Sequence, residues 1–414
     1  MITDLNKKVK KITVDGITME LKPKVLGGEY NLESVLLEDG TQKIVATKAE
    51  VVTSGKYFVK VIDYDGTVLK EVNASTGDII TLPNAPSHEG LVFQEWSCSQ
   101  EIIDGAITIA DNNVMVGAVY GTESGLSEFD IELTKTTGLT VTFKMVGNKN
   151  WGDGTSNSET THTYANYGNY TITCDGTSLP QYIMGQSSSY NYTLTNVRLG
   201  NIKEIPLYSF ENCKSLISAI IPNTVTTFDP YIFANCYALE NIIIPTSITI
   251  INYNDFAYCY NLTNVVIPQG VTNIGNQAFR ECKFKSITIP DSVINFGSYI
   301  FTGCNNIENV TIPSGVNDIN TYTFRSCQSL KKVIFIGSLN SIGGTEAFAY
   351  CYSITKYDFS NNTVVPTLSN TNAFSDINAI CKIIVPDALY DEWITATNWT
   401  TYADYIYKVS EVTE

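Results

Sequence analysis

The chain has 414 residues, of which 43% are hydrophobic and 16% charged, and its formal net charge is −16. This length predicts two to four domains, because one hydrophobic core rarely grows beyond about 250–300 residues, and so few charges exclude a largely disordered protein. The negative charge argues against nucleic acid as a partner, and no run of about 20 apolar residues is present that could form a membrane-spanning helix. The 25 tyrosines and the many β-branched residues favour a mainly β protein.

Residues 1–54 contain two strand candidates, KKITVDGITMEL and NLESVLLEDG. An N-terminal segment of this size is expected to attach the protein to other virion or surface proteins. The first 16 residues lack the apolar run of a secretory signal. This leaves three alternatives: a cytoplasmic protein, a sequence recorded without its signal, or export as part of a larger particle such as a virion.

Residues 55–122 alternate strand patterns with turn residues, which predicts a small β-module. The order is a strand, a turn, two prolines and an aromatic motif, namely Asp65-Gly66, Pro83, Pro86 and Gly90-x-x-Phe93-x-x-Trp96. This order resembles the Listeria–Bacteroides (internalin B-type) repeat. The resemblance implies a β-grasp-like spacer of the kind found in surface proteins.

Residues 127–178 carry the motifs WGDGT (Trp151 to Thr155), HTY (His162 to Tyr164) and GNYTIT (Gly168 to Thr173). These pieces resemble a PKD-type domain, which implies an immunoglobulin-like β-module in which one motif forms a hairpin. The motif is contracted here, because Trp151 is followed directly by Gly152. Asp153 could bind Ca²⁺, but an Asp-Gly pair is more often a hairpin turn, and we expect the turn.

The second half of the chain repeats a unit of 22 to 26 residues. The units begin at Leu194, Leu216, Leu239, Leu262, Phe284, Ile307, Leu330 and Ile354, and a ninth strand is predicted to start at Ile380. Each unit has apolar residues at its positions 1, 4 and 6, and most have a proline that ends the strand. Seven units end in Phe-x-x-Cys, from Phe210/Cys213 to Phe348/Cys351. Equivalent residues at a fixed period predict a parallel β-solenoid, in which each coil buries its apolar residues against the next.

The repeat, written L-x-x-V-x-I-P…V-x-x-I-G-x-x-A-F-x-x-C, resembles the BspA-like class of leucine-rich repeats over residues 190–386. The resemblance implies a protein of the surface-display kind found in gut bacteria, protists and phages. The sequence departs from this pattern at two places near its end, where terminal repeats are often atypical. Gly337 replaces the strand-ending proline, and Phe374 has no following Cys. Residues 387–414 then predict a cap, with an amphipathic helix over Asp387–Tyr407 that covers the last coil.

The repeated cysteines allow two interpretations. Stacking at about 4.8 Å would permit disulfides. The odd number at this register and the lack of a C-x-x-C pair favour buried, inert thiols instead.

The predicted fold class is therefore mainly β and multi-domain, with small β-grasp-like and immunoglobulin-like modules followed by a leucine-rich-repeat solenoid and a C-terminal helical cap. No motif in the sequence indicates catalysis. Neither His88 nor His162 lies in a catalytic motif, and no nucleotide-binding, hydrolase or metalloprotease signature occurs. We expect no enzyme activity, no catalytic residues, no metal site and no cofactor.

Two columns of side chains are candidate binding surfaces, because one register position of a solenoid forms a line along its face. On the strand face the candidates are apolar position-5 residues and neighbouring position-3 amides, namely Ile220, Ile243, Val266, Asn241, Asn264 and Asn309. The second column consists of tyrosines two residues before the repeated Phe, namely Tyr208, Tyr231, Tyr299 and Tyr322. The structural alternative for both is strand or coil packing.

The expected function is non-enzymatic binding or adhesion outside the cell. We expect a phage virion component, on a tail, baseplate or capsid surface, that contacts a protein or glycan on the bacterial host. The alternatives are a bacterial cell-surface adhesin and a purely structural virion decoration protein. The oligomeric state is left open between a monomer and a homo-oligomer.

Overall fold

The structure, a computed structural model, describes residues 57–412 except Asp111 and residues 185–189, and before them only the backbone of four strands. The chain divides into two compact units, Met1–Gly55 and Lys56–Glu414. The first unit contains two antiparallel hairpins. Their strands are β1 (Lys11–Val14), β2 (Ile17–Glu20), β3 (Tyr30–Leu36) and β4 (Gln42–Lys48). The other residues of the expected attachment segment, 1–54, lie outside the described part of the chain.

Residues 57–122, called here the front module, form two small sheets with their own core. The strands are β5 (Tyr57–Ile62), β6 (Val68–Ala74), β7 (Ile79–Thr81), β8 (Leu91–Cys98), β9 (Ile102–Ile103), β10 (Ala106–Thr108) and β11 (Val114–Thr122). One sheet has the order β6-β5-β11-β8, with β11 parallel to β5, and the other has the order β7-β10-β9. Alternating residues of β5 and β11, among them Val59, Val61, Val114 and Val116, are fully buried between the sheets.

Residues 127–174 form short strands that continue directly into the solenoid. These are β12 (Ser127–Leu133), β13 (Thr140–Thr142), β14 (Lys149–Asn150), β15 (Ser156–Asn157), β16 (Thr161–Thr163) and β17 (Gly168–Cys174). Strand β12 pairs antiparallel with β17 on one side and with Leu194–Arg198, the first solenoid strand, on the other. The segment also shares one hydrophobic core with the coils, so it covers the edge and apolar end that the first coil would otherwise expose.

The solenoid has two strand faces. The first face carries β18 (Leu194–Arg198), β20 (Ser218–Ile220), β22 (Asn241–Ile243), β24 (Asn264–Val266), β27 (Asn309–Ile312), β29 (Lys332–Phe335), β31 (Lys356–Asp358) and β33 (Lys382–Val385). The second face carries β19 (Glu204–Ile205), β21 (Thr227–Phe228), β23 (Ile250–Ile251), β25 (Asn273–Ile274), β26 (Asn295–Phe296), β28 (Asp318–Ile319), β30 (Ser341–Ile342) and β32 (Thr367–Leu368). Neighbouring coils pair in parallel with equivalent residues in register, for example Asn241 with Asn264. At the fifth coil the first face is reduced to an isolated bridge between Ser286 and Asn309.

The predicted repeat positions form the core. The repeated phenylalanines lie in one column, from Phe210 to Phe374, with neighbouring ring centroids 5.1–6.0 Å apart and the rings nearly parallel. All of them are at most 1% exposed. The mainly β solenoid predicted from the repeat is thereby confirmed. The strand predicted to be the ninth is β33, and it starts at Lys382 rather than at Ile380, which is 69% exposed.

The C-terminal cap is present but contains less helix than predicted. Only α1 (Tyr390–Thr395) is α-helical, and it is flanked by 3₁₀ turns at Asp387–Leu389, Trp399–Tyr405 and Val409–Glu411. A left-handed residue, Asn398 at φ 66°, separates α1 from the following turn. Trp393, Trp399 and Tyr402 are buried against the last coils, and β34 (Ile406–Lys408) adds a parallel edge strand to β33. The expected continuous helix over Asp387–Tyr407 is therefore wrong, although the covering role of the segment is retained.

Candidate functional site

The front module covers the first half of the solenoid's first face. The candidate apolar stripe of the strand face is buried, because Ile220, Ile243 and Val266 are 4%, 6% and 0% exposed. Ile243 and Val266 pack in one cluster with Met115 of β11 and other front-module residues. Ile220 packs with Ala118 and Tyr120 of the same strand. In this structure the stripe is thus an internal docking surface rather than a free one.

Hydrogen bonds fix the front module on this face. Asn241 Nδ2 donates to the carbonyl oxygen of Asp65 at 2.8 Å, and Lys60 Nζ donates to Asn264 Oδ1 at 3.1 Å. The two amides are themselves joined, because Asn264 Nδ2 donates to Asn241 Oδ1 at 2.7 Å. Two of the three predicted binding amides therefore hold the front module, whereas the third, Asn309, is exposed on β27.

Gly117 in the middle of β11 makes this close approach possible. A Cβ atom built at Gly117 would lie 2.8 Å from two side-chain carbons of Ile243, far inside van der Waals contact. A glycine inside a strand weakens it and often marks a place where another part of the molecule comes close, here the side chain of Ile243. Gly117 in VMVGAVY was therefore a sequence signal for the docking, although it does not specify the partner.

Replacing Gly117 by Val is expected to lower the free energy of unfolding by about 1–3 kcal/mol through overpacking against Ile243. Hydrogen exchange of the β22 amides should increase at the same time. A double-mutant cycle with Ile243→Ala provides the control, because the shortened side chain should absorb much of the clash. An equal cost of Gly117→Val in both backgrounds would contradict the proposed contact.

The tyrosine column lies on the turn side of the solenoid. Tyr208, Tyr231, Tyr299 and Tyr322 are partly exposed and have positive φ angles of 63°, 65°, 59° and 54°. The rings of Tyr208 and Tyr231 lie 5.0 Å apart, and those of Tyr299 and Tyr322 lie 4.7 Å apart. The column is hereafter called the tyrosine ladder.

Two tyrosines that the repeat pattern had not singled out extend the ladder. Tyr182 stacks on Tyr208 at 5.1 Å, and Tyr253 contacts Tyr231 at 5.1 Å. Gln277 stands at the ladder position of the next coil, where its Nε2 donates to the Tyr253 hydroxyl at 2.9 Å. The ladder thus has two aromatic segments, and Gln277 occupies the ladder position between them.

The left-handed backbone makes tyrosine an uncommon choice at the ladder position. Among residues other than glycine, Asn and Asp adopt this conformation most readily. Asn254, at φ 59°, shows that the repeat accepts asparagine at this position. Holding a tyrosine there costs on the order of 1 kcal/mol. Its repeated presence therefore indicates that the aromatic side chain itself contributes, through stacking, through binding or through both.

The repeated cysteines are buried free thiols in the described structure. From Cys236 to Cys351, each Sγ donates to the carbonyl oxygen of the repeated Phe of the preceding coil, at 3.1–3.3 Å. Burial raises the pKa of Cys213 and Cys351 to about 12. These thiols are protonated at neutral pH and act as structural donors, because only the thiolate is a good nucleophile or metal ligand.

The WGDGT segment forms the expected turn. Asp153 accepts hydrogen bonds from the backbone N–H and hydroxyl of Thr155, and His162 Nε2 lies 2.7 Å from Asp153 Oδ2. Burial opposes ionisation of Asp153, but these hydrogen bonds outweigh it and lower its pKa to about 2. The His162 ring also stacks on Trp151 at 4.8 Å, so the carboxylate has local structural partners.

Two kinds of feature are absent from the residues that the structure describes. These residues contain no cluster of three or more His, Cys, Asp or Glu side chains placed to hold a metal ion. None of their helices is both long and apolar enough to cross a bilayer.

Residues 181–308 and 249–380 match the family model of the BspA type leucine rich repeat region, with six copies. No curated protein has a sequence that matches this chain.

Several solved structures resemble the chain. A leucine-rich-repeat protein of T. pallidum is 26% identical, with 38% of this chain and 72% of that chain covered and a TM-score of 0.35. A leucine-rich cell surface protein of Faecalibacterium prausnitzii is 23% identical, with 54% and 76% covered and a TM-score of 0.34. A leucine-rich-repeat protein of Bacteroides ovatus is 20% identical, with 49% and 68% covered and a TM-score of 0.32. The family match and the observed coils agree that residues 181–380 are similar to the BspA type leucine-rich-repeat region.

Proposed function

We propose that this protein is a non-enzymatic adhesion protein displayed outside the cell, and that the tyrosine ladder contacts a protein or glycan on a host cell surface. The repeat family supports a binding role, since solenoids present long columns of equivalent side chains. The observation that carries the proposal is tyrosine at a left-handed position, in Tyr208, Tyr231, Tyr299 and Tyr322. Partly exposed tyrosines offer a flat apolar face and a hydroxyl to a partner.

The ladder is the better candidate of the two predicted columns. Much of the first face is covered by the front module, and of its predicted residues only Asn309 is exposed. The ladder has no comparable cover within the described residues, and its rings contact one another instead.

Replacing Tyr231, Tyr299 and Tyr322 together by Asn is expected to lower affinity for host cells at least tenfold, a loss of about 1.4 kcal/mol. Asparagine suits the left-handed backbone, so the variant should fold. The measurement is binding of the fluorescently labelled full chain to cells, with circular dichroism as the check on folding. Tyr352→Asn is the matched control, because Tyr352 is 52% exposed and lies outside the ladder. Unchanged binding by a folded triple variant would remove the ladder from the proposal.

The finer form of the proposal is a phage virion component on a tail, baseplate or capsid surface. Residues 55–122 resemble the internalin B-type repeat and residues 127–178 a PKD-type module, and both resemblances support display outside a cell. The compact unit Met1–Gly55 is the candidate for attachment to other virion or surface proteins. The alternative is a bacterial cell-surface adhesin. Mass spectrometry of purified particles and of the cell-surface fraction separates the two, because only the first form places the chain in particles.

A purely structural decoration protein is the second candidate function. The stacked Phe core and the two covered solenoid ends support it, because they would suit a rigid spacer as well as a binder. Particles that carry the triple Asn variant distinguish the two roles. If the protein is a spacer, these particles should adsorb to the host normally. If it is a binder, their adsorption should be reduced.

A further inference from the structure

Three lysines lie on the first face of the solenoid, beyond the strands β20, β22 and β24 against which the front module packs. Lys332 of β29, Lys356 of β31 and Lys382 of β33 occupy paired positions of neighbouring parallel strands. Lys332 and Lys356 are half-buried, and Lys382 is exposed. These three residues are called the lysine column.

Lysine occupies this repeat position only in the last three of the nine repeated strands. The six preceding coils carry an amide or a hydroxyl there, namely Asn196, Ser218, Asn241, Asn264, Ser286 and Asn309. The strand pairing continues across the change, because Asn309 lies opposite Lys332. Lysine therefore replaces a short polar side chain only beyond the docked part of the face.

The lysine column places like charges next to one another. Neighbouring strands lie about 4.8 Å apart, and like charges directly opposite each other on adjacent strands are destabilising. Since asparagine or serine fills the same position in the other coils, the solenoid fold does not require these charges. Three successive lysines at such a position therefore indicate a ligand that supplies negative charge.

Nearby carboxylates do not balance the lysine column. Among the outward side chains of β29, β31 and β33 there is one carboxylate, Asp358, whose Oδ2 lies 2.9 Å from Lys356 Nζ. Glu308 on the preceding coil already pairs with Lys285 and Lys331, at 3.1 and 2.9 Å. This part of the face is thus positive, although the formal net charge of the chain is −16.

We propose that the lysine column binds an acidic glycan. Carboxylate or sulfate groups placed along the column would relieve the repulsion between the ammonium groups and form charge-assisted hydrogen bonds with them. The column extends over about 10 Å, so it suits a linear chain whose acidic groups recur along its length. Ile334 lies on the same strand as Lys332, and the Tyr407 ring centroid lies 5.2 Å from Lys382 Nζ. Both side chains offer apolar surface to the carbon face of a sugar ring.

The charge distribution favours a glycan over a nucleic acid. The positive region is short, whereas the chain as a whole is acidic and repels a long phosphate backbone. A short acidic oligosaccharide needs only the local positive region. The lysine column lies on a strand face and shares no residue with the tyrosine ladder, so this proposal does not rest on the adhesion function of the ladder.

The test is a calorimetric titration of the full chain at low ionic strength with two acidic probes, oligogalacturonate and a heparin oligosaccharide. The neutral probe is the methyl ester of the same oligogalacturonate. At least one acidic probe should bind at least tenfold more tightly than the ester. Added salt should reduce this preference, because ions screen exposed charges.

Replacing Lys332 and Lys382 together by Gln should weaken binding of the acidic probe at least tenfold, because each change removes a charged donor. Lys356 stays because it pairs with Asp358. The variant should fold, since other coils carry amides at this position, and circular dichroism checks this. Replacing the same two lysines by Arg should preserve binding, because arginine keeps the charge.

A matched control changes the net charge equally at another place. Lys135 and Lys203 are both exposed and lie outside the lysine column, so the double change to Gln there should leave affinity within about twofold. The triple Asn variant of the tyrosine ladder should also bind the acidic probe as the unchanged chain does.

Any of four results would overturn the proposal. Neither acidic probe binds, the neutral ester binds as tightly as the acidic form, the Gln variant of the lysine column keeps its affinity, or the control loses as much affinity as that variant. Tighter binding of a single-stranded oligonucleotide than of either acidic probe would also overturn it, since the column would then be a nucleic-acid site. If the ladder variant alone loses the acidic probe, the glycan belongs to the ladder and the lysine column is rejected, while the adhesion function stands.

Discussion

Replacing Phe279 by Ala is expected to lower the free energy of unfolding by about 3–5 kcal/mol, as large-to-small changes of a buried Phe do. Phe279 is 0% exposed in the middle of the solenoid. Its ring stacks between Phe256 at 5.5 Å and Phe301 at 6.0 Å. A cavity there removes contacts with both neighbouring coils, and these contacts are the means by which one coil stabilises the next. Urea unfolding followed by circular dichroism measures the change.

A matched control lies one coil further on. Ile294 is 58% exposed, so Ile294→Ala should change the free energy of unfolding by less than about 0.5 kcal/mol. If Phe279→Ala cost no more than this control, the Phe column would not be the continuous core described here. Hydrogen exchange adds a spatial check, because the protection lost should centre on the coils that contain Phe256, Phe279 and Phe301.

Replacing Asp255 by Asn is expected to raise the free energy of unfolding at about pH 8, because it removes a carboxylate whose charge is disfavoured by burial. Asp255 is fully buried at a position where neighbouring coils have Ile232, Ala278 and Ile300. Burial raises the pKa of Asp255 well above its ordinary value, even though its Oδ2 accepts a hydrogen bond from the Asn252 N–H. Such a rise lowers stability at a pH above the ordinary pKa of an aspartate, because the folded chain must either keep a proton or bury a charge. Asparagine keeps the acceptor and removes the charge.

The sign of the pH dependence follows from proton binding. With a raised pKa, the folded chain holds a proton that the unfolded chain has lost above about pH 4, so the stability from Asp255 declines as the pH rises towards the folded pKa. The advantage of Asp255→Asn should therefore grow from about pH 5 to about pH 8 in thermal unfolding. Asp318→Asn, at an exposed residue of the second face, serves as the control and should show no such trend. An advantage of Asp255→Asn that is the same at both pH values would contradict the buried-charge explanation.

Much of the solenoid could be predicted because every unit of the repeat must bury apolar residues at the same positions. Leu239, Ile242 and Ile244 had to be buried because their equivalents recur in every unit, and all three are 0% exposed. The cap was harder to predict. The predicted apolar face is present, since Trp393 and Trp399 are 0% exposed. A helical pattern, however, does not reveal a left-handed break such as the one at Asn398.

For the candidate sites, the sequence prediction and the structure differ more than they do for the solenoid core. The position of the tyrosine ladder followed from the repeat, whereas its left-handed backbone and the added Tyr253 did not. Ile243 and Val266 were correctly assigned to the outward side of their strands, yet they are buried, because the front module returns to that side.

By itself the sequence determined the coil, its register and its inner residues, because a solenoid is built from contacts between equivalent positions one period apart. Only the tertiary structure decided which outer surfaces stay free, because the docking of the front module depends on contacts between residues more than 100 positions apart, such as Asn241 with Asp65. No periodic pattern encodes such a pairing. Gly117 and Gly66 make room for it, but a glycine shows only that something comes close, not what.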